Sequence, residues 1–200
     1  MIIVGLTGGI GSGKTTVAKH LKKLKIPVFE SDYEVSKFYK KKDRELVGAL
    51  RAIDENNKII RNNRIYKKAI RSIIFKNDIK RKKLEKVIFK KLDAVRSEFI
   101  KKNKNKKKAV VILDTPLLFE NKINRMCNYV IVVSAPINLR VKRVLRRGGM
   151  TKSLIKKIIS KQMPENIKKK KSDFIVQTNK GKYYSYNKTK EVLNKILKKA

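Results

Sequence analysis

A single cysteine, Cys127, in 200 residues excludes an internal disulfide and suits a reducing compartment, so a cytoplasmic protein is expected. Cys127 precedes the apolar run Tyr129–Val133 and reads as a small buried hydrophobe. The one histidine, His20, stands between Lys19 and Leu21 in a helical pattern and reads as a surface or packing residue; metal chemistry built on histidine is set aside. No apolar run reaches the length of a membrane span, and the chain passes directly from Met1 into a strand pattern, so neither a transmembrane helix nor a signal peptide is expected. There is no internal repeat and no Gly/Ser/Pro-rich linker. A hydrophobic fraction of 41% is adequate for one α/β core with an insertion, and the length is too short for two full domains.

Acidic residues are also scarce: 16 Asp and Glu stand against 54 Lys and Arg, a formal net charge of +38. Such a charge raises a nucleic-acid reading. The basic clusters, however, are spread along the chain, at 22–25, 40–42, 67–68, 80–83, 101–108, 156–157, 168–171 and 198–199, with no interleaved aromatic stacking pattern. Lys, Ile and Asn are jointly abundant, as drift of an A/T-rich coding sequence produces. Most lysines therefore read as solvated surface, attracting anionic substrates at long range, and no nucleic-acid or membrane partner is expected. A monomer or weak homo-oligomer is expected.

What the chain does contain begins at Ile2. The run Ile2-Ile3-Val4 reads as a buried strand, Val17, Ala18, Leu21 and Leu24 recur at helical spacing, and Gly8 to Thr15 between them satisfies G-x-x-x-x-G-K-[ST]. Four glycines in Gly8–Gly13 allow backbone N–H groups to turn inward around a phosphate, and the helix start adds its own donors and dipole. Gly11, Ser12, Gly13, Lys14, Thr15 and Thr16 are the expected nucleotide-binding residues. Lys14 neutralises β- and γ-phosphate oxygens, and the Thr15 hydroxyl is placed to ligate Mg²⁺.

Short apolar runs at 2–6, 26–29, 109–113, 129–134 and 173–176 alternate with helical patterns, the clearest over 79–100, where Leu84, Ile88, Leu92, Val95 and Phe99 face one way. Alternation of this kind predicts a parallel sheet of about five strands covered by helices. The interval 31–108 is too long for a simple crossover and must hold a helical insertion, the usual position of an acceptor site.

Asp32 follows the second strand. It reads either as a base for an attacking hydroxyl or as the N-cap of the next helix. Asp114 ends the run AVVILD and reads as the second carboxylate of a nucleotide fold, holding Mg²⁺ directly or through water. Pro116 stops that strand; Leu117, Leu118 and Phe119 offer an apolar surface, and Glu120 reads as a helix cap. Arg140, Arg143 and Arg147 are three and four residues apart, so one helix aligns them; Gly148-Gly149 breaks it and Thr151 caps the next. Two helices hinged at glycines and carrying aligned arginines read as a lid over a triphosphate.

With these pieces together, the sequence resembles the dephospho-CoA kinase family almost end to end: in GLTGGIGSGKTTVA, in Asp32 after the second strand, in RSIIFKN at 71–77, in DTPLLFE at 114–120, in the lid arginines with KQM at 161–163, and in KKSDFIVQTNKG at 170–181. The resemblance implies transfer of the ATP γ-phosphate to the ribose 3′-hydroxyl of dephospho-CoA, with Mg²⁺ as cofactor. It implies Asp32 as the base, Lys14 and Arg143 as further catalytic groups, Arg143 and Arg147 on the triphosphate, Thr15 and Asp114 on the metal, and Asn179 near the adenine. It implies a phosphate-loop kinase in three parts: a core of 1–30, 109–135 and 172–200, a helical acceptor insertion over 31–108 and a lid over 136–171. Three positions depart from the family pattern. Glu30-Ser31-Asp32 replaces Asp-Ala-Asp, Phe89-Lys90 replaces a His-Pro pair, and Arg147-Gly148 replaces Arg-Asp. A nucleoside monophosphate kinase and an RNA-binding ATPase are the rival readings. PLLFE and Asp32 fit the first less well, and charge alone motivates the second.

Overall fold

A computed structural model of the chain describes residues 1–62 and 64–198; Asn63, Lys199 and Ala200 lie outside the described residues, and with them the end of the 198–199 cluster and of the 172–200 core segment. The chain forms two compact units, Met1–Glu30 with Ile100–Ala200, and Ser31–Phe99.

The first unit is built on five parallel strands: β1 (Ile2–Thr7), β2 (Val28–Glu30), β5 (Val110–Asp114), β6 (Tyr129–Ser134) and β7 (Phe174–Gln177), in the order β2-β5-β1-β6-β7. Each strand is a run of mainly apolar residues bounded by turn or charged positions; the central β1, β5 and β6 are buried on both faces, and the edge strands β2 and β7 are partly open. Residues of alternate parity take opposite faces. Val4, Leu6, Val110, Ile112, Ile131 and Val133 pack with Val17, Ala18 and Leu21 of α1 (Lys14–Lys23) and with Val192, Leu193 and Ile196 of α9 (Lys182–Leu197). His20 belongs to this packing. It is buried, its Nε2 lies 3.2 Å from Ser185 Oγ, and its ring meets Tyr186 edge-on at 5.4 Å. Burial, helped by the charge of Lys23, lowers its pKa below the ordinary histidine value.

Register fixes what emerges at the sheet's carboxyl edge. Leu6 is the Cα partner of Asp114, and Glu30 pairs with Asp114 from the other side. β2 begins at Val28 and not at Ile26, because the Ile26 N–H closes a turn onto Leu21 O (3.1 Å) before the strand starts. Cys127 is half-buried, and its Sγ donates to Ile123 O at 3.4 Å.

The second unit is helical, with α2 (Ser31–Lys40), α3 (Arg44–Ala52), α4 (Lys67–Lys76), the first turns of α5 (Asp78–Asn105) and a two-residue hairpin, β3 (Ile60–Arg61) and β4 (Arg64–Ile65). Its core gathers Leu46, Leu50, Ile53, Ile59, Ile70 and Leu84. Asp43 caps α3 by accepting from Leu46 N at 3.0 Å, and the buried Asp54 carboxylate accepts from Lys58 N (2.8 Å) and Ile59 N (2.6 Å), which shapes the turn into the hairpin.

Candidate active site

The loop between β1 and α1 closes on itself through Ser12 N to Gly9 O (3.0 Å), and α1 starts with Thr16 N and Val17 N on Gly13 O. Gly13 enters the helix at φ +90, a left-handed conformation that side chains disfavour. Gly11, at φ +75, is also pressed from behind, since a Cβ there would lie 2.5 Å from Arg140 O. The glycines thus serve close packing of protein against the loop's outer side.

Lys14 begins α1 and its Nζ forms an ion pair with the Asp114 carboxylate. Asp114 is almost fully buried and ends β5, so one ammonium and one carboxylate meet where the β1 and β5 edges coincide. Ser12 is buried, and its hydroxyl oxygen finds no hydrogen-bond partner among the described residues. Thr15 is exposed at the first turn of α1.

Three elements fasten the loop from outside. Helix α6 (Ile137–Arg146) follows β6 and carries Arg140 and Arg143. The buried Arg140 guanidinium donates through Nε to Ile10 O (2.9 Å) and pairs with Glu165, the first residue of α8 (Glu165–Lys170). Glu165 also accepts from Ser134 Oγ at the end of β6. Arg143 donates to Gly11 O (3.3 Å), Thr178 Oγ1 (2.9 Å) and Thr178 O (2.8 Å), while Thr178 Oγ1 donates to Ser12 O (2.6 Å). Gln162, just after α7 (Lys152–Lys161), accepts the Ile10 N–H at 3.1 Å through its side-chain oxygen. Arg140 and Arg143 therefore bind loop carbonyls, a difference from the reading of all three arginines as aligned over a triphosphate. Arg140 is drawn to the half-buried Glu165 carboxylate and the Ile10 carbonyl. Arg147 is the exposed C-cap of α6, and Gly148 and Gly149 follow at φ +72 and +76, with Thr151 capping α7 through Leu154 N.

Asn179 lies beyond β7 and lines a cavity of about 300 Å³ with Ser134, Pro136, Glu165, Lys169 and Gln177. Asp32 sits, exposed, in the first turn of α2, two residues after Glu30; the helix starts at Ser31, so Asp32 is inside the helix and does not cap it. Phe89 and Lys90 lie on α5, where Lys90 Nζ is 3.9 Å from Glu45.

Two residues read otherwise from sequence join this surround. Glu120, expected as a helix cap, accepts from Met163 N (2.9 Å) and from the Lys168 ammonium (2.9 Å). Burial raises the Glu120 carboxyl, but these donors together outweigh it and hold its pKa below the ordinary glutamate value. Lys168, expected as solvated surface within the basic run 168–171, is only 1% exposed. Its signal in the sequence is faint: it follows Pro164 by one helical turn, on the side that α8 turns toward β6.

Residues 2–183 match the pattern of the family described as CoaE, dephospho-CoA kinase. The chain is 32% identical over 199 residues to a dephospho-CoA kinase of Bartonella quintana, covering 99% of this chain and all of that one. It is 32% identical over 182 residues to one of Fusobacterium nucleatum, covering 90% of each. Among solved structures, a Thermus thermophilus protein superposes with a TM-score of 0.81 at 28% identity, covering 97% of both chains.

Proposed function

Because the chain belongs to the dephospho-CoA kinase family and transfers the γ-phosphate of ATP to the ribose 3′-hydroxyl of dephospho-CoA, completing coenzyme A, we propose the following division of labour among its residues. The observation that carries it is the Lys14–Asp114 pair at the joined edges of β1 and β5. A cation and a carboxylate held there, beside a glycine-rich loop that leads into a helix N-terminus, are what a triphosphate with its metal needs.

Gly11, Ser12, Gly13, Lys14, Thr15 and Thr16 bind the triphosphate through backbone N–H groups, the Lys14 ammonium and the threonine hydroxyls. Lys14 neutralises the charge that grows on the phosphoryl oxygens during transfer. Thr15 and Asp114 are the residues that would hold Mg²⁺: a hydroxyl and a buried carboxylate are hard oxygen donors and leave the remaining positions to phosphate and water. Bound there, Mg²⁺ would offset the negative charge of the phosphate groups. Asp32 orients the acceptor hydroxyl and takes its proton as the new P–O bond forms. Arg143 and Arg147, carried by α6 beside the loop, bind triphosphate oxygens, and Asn179 contacts the adenine. The insertion over 31–108 binds the acceptor.

The protein acts in the cytoplasm as a monomer or weak homo-oligomer, with small-molecule partners and no nucleic acid. Among the described residues no helix is long and apolar enough to cross a membrane. The test is coupled ADP release with dephospho-CoA, AMP, CMP, dTMP and pantothenate as acceptors. Turnover on dephospho-CoA alone is expected, and equal or faster turnover on a nucleoside monophosphate would overturn the acceptor assignment.

A further inference from the structure

Lys168 is one of the largest fully buried side chains of the described residues, and its ammonium lies within reach of two acceptors. One is Glu120 Oε1, at 2.9 Å; the other is the carbonyl of Pro116, at 3.3 Å. That carbonyl also accepts from Thr7 Oγ1 at 3.0 Å. Thr7 is the last residue of β1 before the phosphate loop, and Pro116 stands two residues after Asp114. Glu120 Oε1 accepts in addition from Met163 N, and Met163 is the covalent neighbour of Gln162, whose side chain holds the Ile10 N–H. A continuous path thus runs from the start of the phosphate loop through Pro116, Lys168 and Glu120 to the Gln162–Met163 turn, and back to the loop at Ile10.

A buried ion pair is a costly way to fill a core. Desolvating both ions offsets most of their attraction, and apolar residues of similar volume serve stability equally well or better. Here the cost is visible, since Glu120 Oε2 is buried with no hydrogen-bond partner among the described residues. What an apolar pair would lack is direction: the ammonium sets the angle and distance of a backbone carbonyl, Pro116 O, and a carboxylate, Glu120, at once.

We propose that Lys168 is a positioning residue for phosphoryl transfer: with Glu120 it holds the segment from the end of β5 at Asp114 to Pro116 and the Gln162–Met163 turn in one fixed arrangement around the phosphate loop. Lys168 acts through Pro116 and Glu120 and touches no reacting atom. The inference rests on the loop and Asp114 being the nucleotide site, a reading that wild-type turnover and Lys14→Ala test separately.

The experiment compares wild type, Lys168→Met, Glu120→Gln and the double variant by melting temperature, kcat and KM for ATP. Lys168→Met leaves the half-buried Glu120 carboxylate without its cation and should lower both the melting temperature and kcat. In the double variant, of nearly the same volume and without either charge, the melting temperature should return to within about 3 °C of wild type. Its kcat should stay about tenfold or more below wild type while KM for ATP moves less than about threefold, because small displacements of reacting groups are expensive in rate. Recovery of kcat together with melting temperature would reduce the pair to a structural element and overturn the proposal. Should the Met variants not fold, Glu120→Gln carries the test, being isosteric and still able to accept the Met163 amide. A fall in kcat of about fivefold or more supports the proposal, and wild-type kcat in that variant overturns it.

Discussion

Arg140 stands where a side chain on Gly9 would have to go: a Cβ there would lie 2.1 Å from one of its guanidinium nitrogens. The guanidinium cannot step aside freely, since Ile10 O and Glu165 hold it. Gly9→Ala should therefore break the Arg140–Glu165 pair, costing about 2 kcal/mol, the loss typical of a hydrogen bond to a charged group. For a chain of this size that lowers the melting temperature by about 6 °C. In an Arg140→Met background the same substitution should cost far less. Additive losses in that double-mutant cycle would show that Gly9 is constrained by something other than Arg140.

Lys14→Ala should abolish transfer while leaving the fold intact. The ammonium meets charge that grows toward the transition state, so a loss on the order of a hundredfold or more in kcat is expected. The partner left behind, Asp114, is 4% exposed, and a clear drop in melting temperature should accompany the loss. Turnover like wild type in the folded variant contradicts the assignment of the loop.

Asp32→Asn separates chemistry from helix geometry. Asp32 lies in the first turn of α2 with Glu34, where a negative charge is worth a few tenths of a kcal/mol and Asn keeps the shape. Melting temperature and ATP affinity should stay near those of wild type, and transfer should fall by roughly a hundredfold or more. A stable Asp32→Asn enzyme with near-normal transfer removes Asp32 from the mechanism.

His20 makes stability depend on pH in a window that no other histidine shares, because the chain has one. Its pKa in the fold is lowered by burial and by Lys23, so the unfolded chain binds the proton more tightly. The stabilisation is complete above the ordinary histidine value of about 6.5 and is lost as pH falls below it. Melting temperature should decline between about pH 7 and pH 5.5. His20→Gln, which offers Ser185 an amide in place of Nε2, should flatten that decline. An equal decline in the variant would place the proton elsewhere.

Local pattern carried much of this molecule. Apolar runs between charged residues located all five sheet strands to within about two residues, the usual tolerance of such boundaries. Gly148-Gly149 followed by Thr151 marked the break between α6 and α7. The β3–β4 hairpin left no signal, because two-residue strands are too short to show alternation. The loop's outer fastening was hidden for a different reason. Ile10 meets Arg140 and Gln162 across 130 and 152 residues, and Pro116 meets Lys168 across 52. No periodicity links such positions. In a chain with 54 basic residues, composition favours solvent for each lysine, and only the packed fold singles out Lys168.

Reagents that acylate amines reach nearly every other lysine of the run 168–171 from water, but Lys168 only when α8 lifts away from Pro116 and Glu120. Its labelling rate relative to its neighbours is therefore a clock for that opening, and where reclosing outpaces labelling the ratio gives the free energy of a local unfolding event. A ligand that tightens the phosphate loop should slow the clock without altering the rates at Lys170 and Lys171.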